Sequence, residues 1–248
     1  MSHADIVAVL VLSFLSCLTT CIGVVLALWL RRNDRAIACG IGFSAGIMIL
    51  ISFIELIPEA STEIGLPAAF FTALSGGLLL WGINTILPHT HLVKEHSLID
   101  PALVKSVYLV VIGLILHDVP EGFAMANAYA SAPSLGILVA IAIALHNLPE
   151  EFALCLPAIT LKSRRFLFGT ALLSALAEPL GALLGLFAIQ LAPVLTPFFL
   201  SFAGGAMIFV SFHELIPLAR HYGSLGYFAG GIAISAIVYR LLAWVVTG

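Results

Sequence analysis

The sequence predicts an all-α integral membrane protein with eight transmembrane helices, and three observations lead to this fold class. Hydrophobic residues make up 61% of the 248 residues and charged residues only 9%. A soluble domain has about 25% charged residues, so lipid must be the main solvent of this chain. The apolar residues form eight runs, each near the roughly 20 residues that a transmembrane helix needs. Basic residues gather in alternate loops between the runs.

The eight predicted helices follow one another along a single transmembrane domain, residues 1–248. Lipid offers no hydrogen-bond partners, so backbone groups must be paired within each segment, which favours helices over other spanning structures. A histidine-containing loop, residues 88–105, separates the third helix from the fourth. The predicted spans are residues 4–30, 36–58, 67–87, 106–130, 134–161, 166–191, 194–219 and 222–247.

The distribution of Lys and Arg orients these helices. Basic residues accumulate on the cytoplasmic side of a membrane. The loops after the odd-numbered helices contain all but one of the ten basic residues: Arg31, Arg32, Arg35, Lys94, Lys105, Lys162, Arg164, Arg165 and Arg220. We therefore expect a multi-pass protein of the plasma (inner) membrane with both termini outside the cytoplasm. Ten basic residues are also too few for a surface that follows a nucleic-acid backbone.

An internal repeat relates the second helix to the seventh. Residues 45–60 and 204–219 are identical at ten of sixteen positions, at a constant offset of 159. The two helices cross the membrane in opposite directions, and inverted repeats are typical of transporters that expose one central site alternately to each side. A shorter similarity relates residues 117–122 of helix 4 to residues 146–151 of helix 5. We therefore expect helices 1–3 to be related to helices 6–8, and helix 4 to helix 5.

Helices 4 and 5 each contain a histidine and a glutamate four residues apart, near the middle of the span. His117 and Glu121 share one helix face, as do His146 and Glu150. An imidazole nitrogen and a carboxylate oxygen at this spacing form half of a metal site, and two such helices complete four-coordination. Each motif also contains a proline, which removes a backbone hydrogen bond where an open cavity is needed.

Further oxygen ligands flank the two pairs. Asp118 and Asn147 each follow a histidine, and Glu178 lies midway along helix 6. We infer a second, oxygen-rich site beside the first, bridged by Glu121 and Glu150. The alternative is that these side chains form structural ion pairs, but the sequence places no Lys or Arg at their depth. Carboxylates within a membrane are costly without a counter-charge, so divalent cations between them are favoured.

These motifs, their separation of 29 residues, the eight spans and the repeat resemble the ZIP family of zinc and iron transporters, in particular its bacterial ZupT-like branch. The resemblance covers essentially the whole chain. It implies a 3+2+3 helix bundle with a binuclear site between helices 4 and 5. By motif position, it implies a first site formed by His117, Glu121, His146 and Glu150. It implies a second site formed by Asp118, Glu121, Asn147, Glu150 and Glu178.

Two positions depart from the pattern of that family. Asp118 stands where the family often has Asn, which adds a charged, hard ligand. Glu151 stands where the family usually has Gly, and on a helix it points away from Glu150. A substitute ligand and a proton acceptor are both open interpretations of Glu151, and the preferred metal depends on which holds.

Other residues give weaker signals for accessory roles along a metal path. Glu55 lies near the outer end of helix 2, and its repeat counterpart Glu214 lies beside His213 near the inner end of helix 7. Charges at the mouths of a cation path and charges solvated at helix ends are equally good explanations. The histidines of the loop, which either capture metal or are merely solvated, are His89, His91 and His96. The glycine pairs expected to form packing faces are Gly42 and Gly46, Gly181 and Gly185, and Gly226 and Gly230.

The sequence thus predicts a transporter rather than an enzyme. It predicts uptake of zinc and/or iron(II), with manganese, cobalt and cadmium as further candidates, from outside into the cytoplasm. The metal is a substrate and not a cofactor, and the absence of a thiolate ligand disfavours copper(I). The expected partners are divalent ions and the lipid bilayer, without nucleic acid, and a homodimer remains open.

Two functions from other classes are alternatives. An intramembrane metalloprotease needs HExxH on one helix, which neither HDVPE nor HNLPE supplies. A membrane metal sensor would be expected to have an appended signalling domain.

Overall fold

Almost all of the described residues are helical. A computed structural model describes residues 1–30, 33–86, 115, 118–160, 164–221 and 225–247. The first four helices are α1 (His3–Leu30), α2 (Asp34–Ile51, Ser52–Leu56 and Ile57–Ile64), α3 (Leu66–Ile86) and α4 (118–131). The last four are α5 (Pro133–Thr160), α6 (Arg164–Leu191), α7 (Pro193–Leu195, Thr196–Val210, Ser211–Leu215 and Ile216–His221) and α8 (Leu225–Thr247).

Seven helices in the described residues are long and apolar enough to cross a membrane. The eighth predicted span is represented by α4, whose described part covers residues 118–131. Residues 106–114, where that span was predicted to begin, lie outside the described residues, as does the predicted loop 88–105. The prediction of an all-α integral membrane protein is confirmed.

The outside of the bundle is apolar and its inside contains polar groups, as lipid solvation requires. Large hydrophobic side chains such as Trp29, Phe71 and Trp244 are exposed, whereas Glu121 and His146 are fully buried. This distribution is the reverse of that in a soluble protein. The buried polar side chains therefore lie inside the bundle, away from lipid.

The end of α2 lies beyond the predicted one. The helix continues to Ile64 rather than to residue 58, and it ends at Gly65, the described glycine with a positive φ of 79°. Glycine adopts this conformation without steric cost, so it terminates helices well. Glu59 and Glu63 lie in the additional turns. These two charged residues end the run of apolar residues, so the predicted span stopped before the helix does.

Two π-helical turns interrupt α2 and α7 at equivalent positions of the repeat. They cover Ser52–Leu56 and Ser211–Leu215, which are 159 residues apart. In α2 the N–H of Ile57 donates to the carbonyl five residues back, and the same bond occurs in α7. The next residue is Pro58 in α2 and Pro217 in α7. Because proline lacks an N–H and clashes with the carbonyl four residues back, a wider turn accommodates it.

Small residues allow close packing of the helices. Two glycines bring α4 and α6 together. Gly122 of α4 lies against the Glu178 carbonyl of α6, and Gly181 of α6 lies against the Val119 carbonyl of α4. Gly42 of α2 packs in the same way on Phe228 of α8. A side chain at any of these glycines would collide with backbone atoms.

One predicted glycine face is wrong. A Cβ at Gly226 or Gly230 would meet no described atom within 4 Å, whereas Gly231 lies against the Cys39 carbonyl of α2. The spacing of small residues was the same in each predicted pair, but which side of α8 faces α2 depends on how the two helices pack. The other predicted pairs, in α2 and α6, do contact neighbouring helices.

Candidate metal centre

His146 is held in a defined orientation within α5. Its Nδ1 atom lies 3.1 Å from the Ala142 carbonyl, and its Nε2 atom lies 3.1 Å from Glu121 Oε1 and 3.3 Å from Glu150 Oε2. A carbonyl can only accept a hydrogen bond, so the contact with Ala142 places a proton on Nδ1 of the imidazole ring. An ionised carboxylate also only accepts, so Nε2–H donates to Glu121 in this arrangement; when Nε2 gives up that proton, its lone pair faces two carboxylate groups.

Glu121, His146 and Glu150 form a compact group of potential ligands. Their ligand atoms all lie within 4.8 Å of one another, and all three side chains are buried. Glu121 comes from α4 and the other two from adjacent turns of α5, so the group joins the two helices. One nitrogen and two carboxylate oxygens around a common point suit a divalent cation, and His146 carries the backbone-directed N–H that metal-ligating histidines usually have.

The backbone around His146 is supported by α2. The Ser44 hydroxyl donates a hydrogen bond of 3.2 Å to the His146 carbonyl. Helix α5 continues through Pro149, whose missing N–H leaves a gap in the hydrogen-bond ladder of the same turn. The carbonyl that Pro149 leaves without a helical donor is that of Leu145, and Ser44 gives the adjacent His146 carbonyl an additional donor from a neighbouring helix.

Glu178 of α6 contacts Asn147, the residue that follows His146 on α5. Its Oε1 atom accepts a hydrogen bond from the Asn147 side-chain amide, and the Ser16 hydroxyl of α1 is a further partner. Both Glu178 and Asn147 are buried. The predicted proximity of Asn147 to Glu178 is therefore present in the structure.

Asp118 and Glu151 are linked through a serine that the sequence did not suggest. The Ser174 hydroxyl of α6 lies 2.7 Å from Asp118 Oδ2 and 3.2 Å from Glu151 Oε1. Glu151 Oε2 lies 3.9 Å from Cys155 Sγ. All four side chains are buried, so Glu151 is an interior residue and not part of a solvated helix end.

The candidate accessory residues Glu55, His213 and Glu214 lie in the π-helical turns of α2 and α7. Glu55 accepts a hydrogen bond of 2.5 Å from the Tyr239 hydroxyl of α8. His213 packs its ring on Phe209, with the ring centroids 4.8 Å apart. Glu214 lies in the same π-helical turn as His213 and is partly buried.

The sequence-predicted ligands are thus only partly brought together. Glu121, His146 and Glu150 meet, Asn147 contacts Glu178, and Asp118 contacts Ser174. His117 lies outside the described residues, as do His89, His91 and His96.

Two hydroxyl groups beside the site were not predicted from the sequence. Ser174 precedes Glu178 by four residues, so both lie on one face of α6. The four-residue spacing from Glu178 could therefore have indicated that Ser174 lies beside the site. Ser16 of α1 has no comparable signal, because only tertiary packing brings it to Glu178.

The chain is similar to a family of known membrane transport proteins. The profile of the ZIP family, described as ZIP zinc transporter, matches residues 89–247. The chain is 38% identical to the zinc transporter ZupT of Chlorobium luteolum, over 95% of this chain and 98% of that protein. It is 35% identical to ZupT of Corynebacterium aurimucosum, over 97% and 99% of the two chains. It is 41% identical to the zinc transporter GufA of Myxococcus xanthus over 60% of each chain.

These matches include both motif-bearing helices, α4 and α5, and those with the ZupT proteins extend over nearly the whole membrane domain. The paired motifs, the helical membrane fold and the extent of the similarity all agree, and the chain belongs to the ZIP family, in its bacterial ZupT-like branch.

Proposed function

We propose that this protein is a transporter that takes divalent metal cations into the cytoplasm, with zinc as its principal substrate and iron(II) as a further one. The observation that carries the proposal is the meeting of His146 Nε2 with Glu121 and Glu150 across the α4–α5 interface. The relatives named as zinc transporters support zinc as the substrate.

The electrostatics of this group favour a cation. His146 directs its Nε2 atom at carboxylates on two helices, and all three residues are buried. Neither the described part of α4 nor α5 contains a Lys or Arg. A doubly charged ion between a lone pair and two carboxylates offsets the cost of burying these charges, which no single hydrogen bond does.

We propose that the site is binuclear, and the neighbouring oxygen ligands support this. We assign the first site to His117, Glu121, His146 and Glu150. We assign the second site to Asp118, Glu121, Asn147, Glu150 and Glu178. The hydrogen bond from Asn147 to Glu178 and the burial of Asp118 support the second assignment, because they hold oxygen atoms near the shared glutamates.

We further propose a 3+2+3 bundle in which the inverted repeat provides alternating access. Helix α2 packs against α8, and its repeat counterpart α7 packs against α3. The equivalent π-helical turns of α2 and α7 support the same symmetry. Two related halves can exchange conformations around one central site, which then opens to each side of the membrane in turn.

Inward transport needs no nucleotide if the cell interior is negative. We propose that both termini lie outside the cytoplasm of a plasma (inner) membrane, as the distribution of basic loops indicates. Each charge that moves inward gains about 2.3 kcal/mol per 100 mV, so a divalent ion gains about 4.6 kcal/mol.

Uptake by purified protein in liposomes tests this proposal. Zinc or cadmium added outside should enter liposomes containing the wild-type protein and should not enter those with the Glu121→Gln variant. This substitution preserves the size of the side chain and removes its charge. Insertion of both proteins is measured by flotation and by protease protection.

The matched control is Asp34→Asn, which removes a carboxylate from an exposed position in the first turn of α2. This variant should transport like the wild type. Transport by Glu121→Gln at the wild-type rate would refute the assigned site, and cleavage of a membrane peptide without metal uptake would refute the assigned activity.

A further inference from the structure

Ser174 joins two carboxylates that come from different helices. Its hydroxyl oxygen lies 2.7 Å from Asp118 Oδ2 on α4 and 3.2 Å from Glu151 Oε1 on α5. All three side chains are buried. A serine hydroxyl has a single proton, so it donates to one of the two carboxylates at a time. The shorter distance indicates that Asp118 is the main acceptor.

The Glu151 side chain occupies a fitted position between helices. A Cβ at Gly23 of α1 would lie 2.8 Å from Glu151 Cγ and 2.8 Å from the Leu148 carbonyl, so α1 approaches α5 closely because residue 23 has no side chain. On its other side, Glu151 Oε2 faces Cys155 Sγ at 3.9 Å. The packing therefore restrains the carboxylate to the neighbourhood of Ser174.

We propose that Glu151 determines metal specificity by acting through Ser174 on Asp118, so that the site retains hard divalent cations such as Mn²⁺ beside Zn²⁺. This inference rests on the proposed function, in which Asp118 is a ligand of the second site. Glu151 is a positioning residue in this proposal, because the Ser174 hydroxyl connects its carboxylate to that of Asp118.

The chemical basis is the different preference of the two ions. Carboxylate oxygens suit Mn²⁺, whereas imidazole nitrogen suits Zn²⁺. The Glu151 carboxylate beside Ser174 limits the positions that the hydroxyl can take, and the hydroxyl in turn holds the Asp118 oxygen in place. Binding of Mn²⁺ depends more on the oxygen-rich part of the site, so Mn²⁺ should be the more sensitive of the two ions.

The experiment compares binding of the two metals to the purified full-length protein. Mn²⁺ binding is followed by the loss of the free-ion electron paramagnetic resonance signal, and Zn²⁺ binding by competition with a chromophoric chelator. Glu151→Gln should weaken Mn²⁺ binding about tenfold, the smaller of the losses in affinity seen when a residue that orients a metal ligand is changed. It should change Zn²⁺ binding less than about threefold. Proteoliposome uptake should show the same change as a raised KM for Mn²⁺ with kcat unchanged.

Coupling between the residues distinguishes positioning from a general structural role. Ser174→Ala should reproduce the loss of Mn²⁺ affinity, and Glu151→Gln should have no further effect in that background. Ser174→Thr retains a hydroxyl and should retain Mn²⁺ binding. The control is Thr170→Val one turn earlier on α6, since the Thr170 hydroxyl donates to the Leu167 carbonyl of its own helix.

Several outcomes would overturn the inference. Equal weakening of both metals, no weakening of either, or additive effects of the two substitutions would each do so. Loss of both metals in Glu121→Gln together with unchanged binding in Glu151→Gln would leave the proposed function intact and refute only the role of Glu151. If the wild-type protein binds neither metal, both proposals fail.

Discussion

The Nε2 atom of His146 lies 3.1 Å from Glu121 Oε1, across the interface between α5 and α4. The two residues are 25 positions apart in sequence and belong to different motifs. Their contact turns two half-sites into one group, because Glu150 lies on the same face of α5 as His146.

Removal of the imidazole should abolish tight metal binding. We expect His146→Ala to raise the dissociation constant for Zn²⁺ by more than about 100-fold. Changing a residue that only orients a metal ligand already lowers metal affinity by up to about 100-fold, and His146 is itself a proposed ligand. Thermal unfolding in detergent provides the measurement. Zn²⁺ at 100 times its dissociation constant stabilises the wild type by about 2.7 kcal/mol, and a chelator should reverse this effect. An equal Zn²⁺-dependent rise in Tm for the variant would contradict the prediction.

The α4–α6 contact should not tolerate a side chain at its glycines. Gly181→Ala places a Cβ against the Val119 carbonyl, and overpacking of this kind costs about 1–3 kcal/mol. We expect a lower Tm and less monodisperse protein in fluorescence-detected gel filtration. Gly226→Ala is the matched control, since a Cβ there meets no described atom within 4 Å. Equal behaviour of the two variants would show that the helices are not packed this closely.

The hydrogen bond between Tyr239 and Glu55 should stabilise the pairing of α8 with α2. The hydroxyl lies 2.5 Å from Glu55 Oε1, and hydrogen bonds to charged groups contribute roughly 1.5–3 kcal/mol. Tyr239→Phe should lower the free energy of unfolding by about this amount, measured with a double-mutant cycle that includes Glu55→Gln. The control is Tyr227→Phe, at an exposed position of the same helix. A coupling free energy near zero would contradict the prediction.

The π-helical turns should depend on the prolines that follow them. Pro58→Ala restores an N–H that can donate four residues back, which would convert the wide turn into regular α-helix and rotate the following residues by about 100°. Glu59 would then lose its 2.7 Å hydrogen bond from Ser131. We expect slower uptake without loss of membrane insertion, and a comparable effect of Pro217→Ala in the other repeat.

Pro67→Ala serves as the control for both proline variants. Pro67 is the second residue of α3, where a missing N–H costs little. Accessibility of a cysteine introduced at position 59 reports the rotation directly. Unchanged accessibility in Pro58→Ala would show that the turn is imposed by packing rather than by the proline.

The membrane fold and the shared helix face of His146 and Glu150 could be predicted from the sequence because they depend on local spacing. Apolar run length determines spans, and the four-residue spacing of His146 and Glu150 determines a shared face. Spacing does not predict which side of a helix packs against its neighbour. Gly226 and Gly230 have the same spacing as Gly181 and Gly185, yet only the second pair lies in a contact.

The two departures from the family pattern illustrate the same limit. Asp118 and Glu151 could be identified as unusual from the sequence, but they lie on different helices, 33 positions apart. Their connection requires the Ser174 hydroxyl of a third helix. A substitute ligand, a proton acceptor and a positioning residue have the same sequence signature, since all three are buried carboxylates.

By itself, the sequence determined that this chain is an all-α membrane protein, and it placed His146 and Glu150 on one helix face. These properties follow from composition and from spacing along one helix. Only the tertiary structure decided that Glu121 meets His146, that Ser174 bridges Asp118 and Glu151, and that Gly231 rather than Gly226 faces α2. The physical reason is that contacts between helices depend on their relative rotation and depth, which are set by the packing of all helices together.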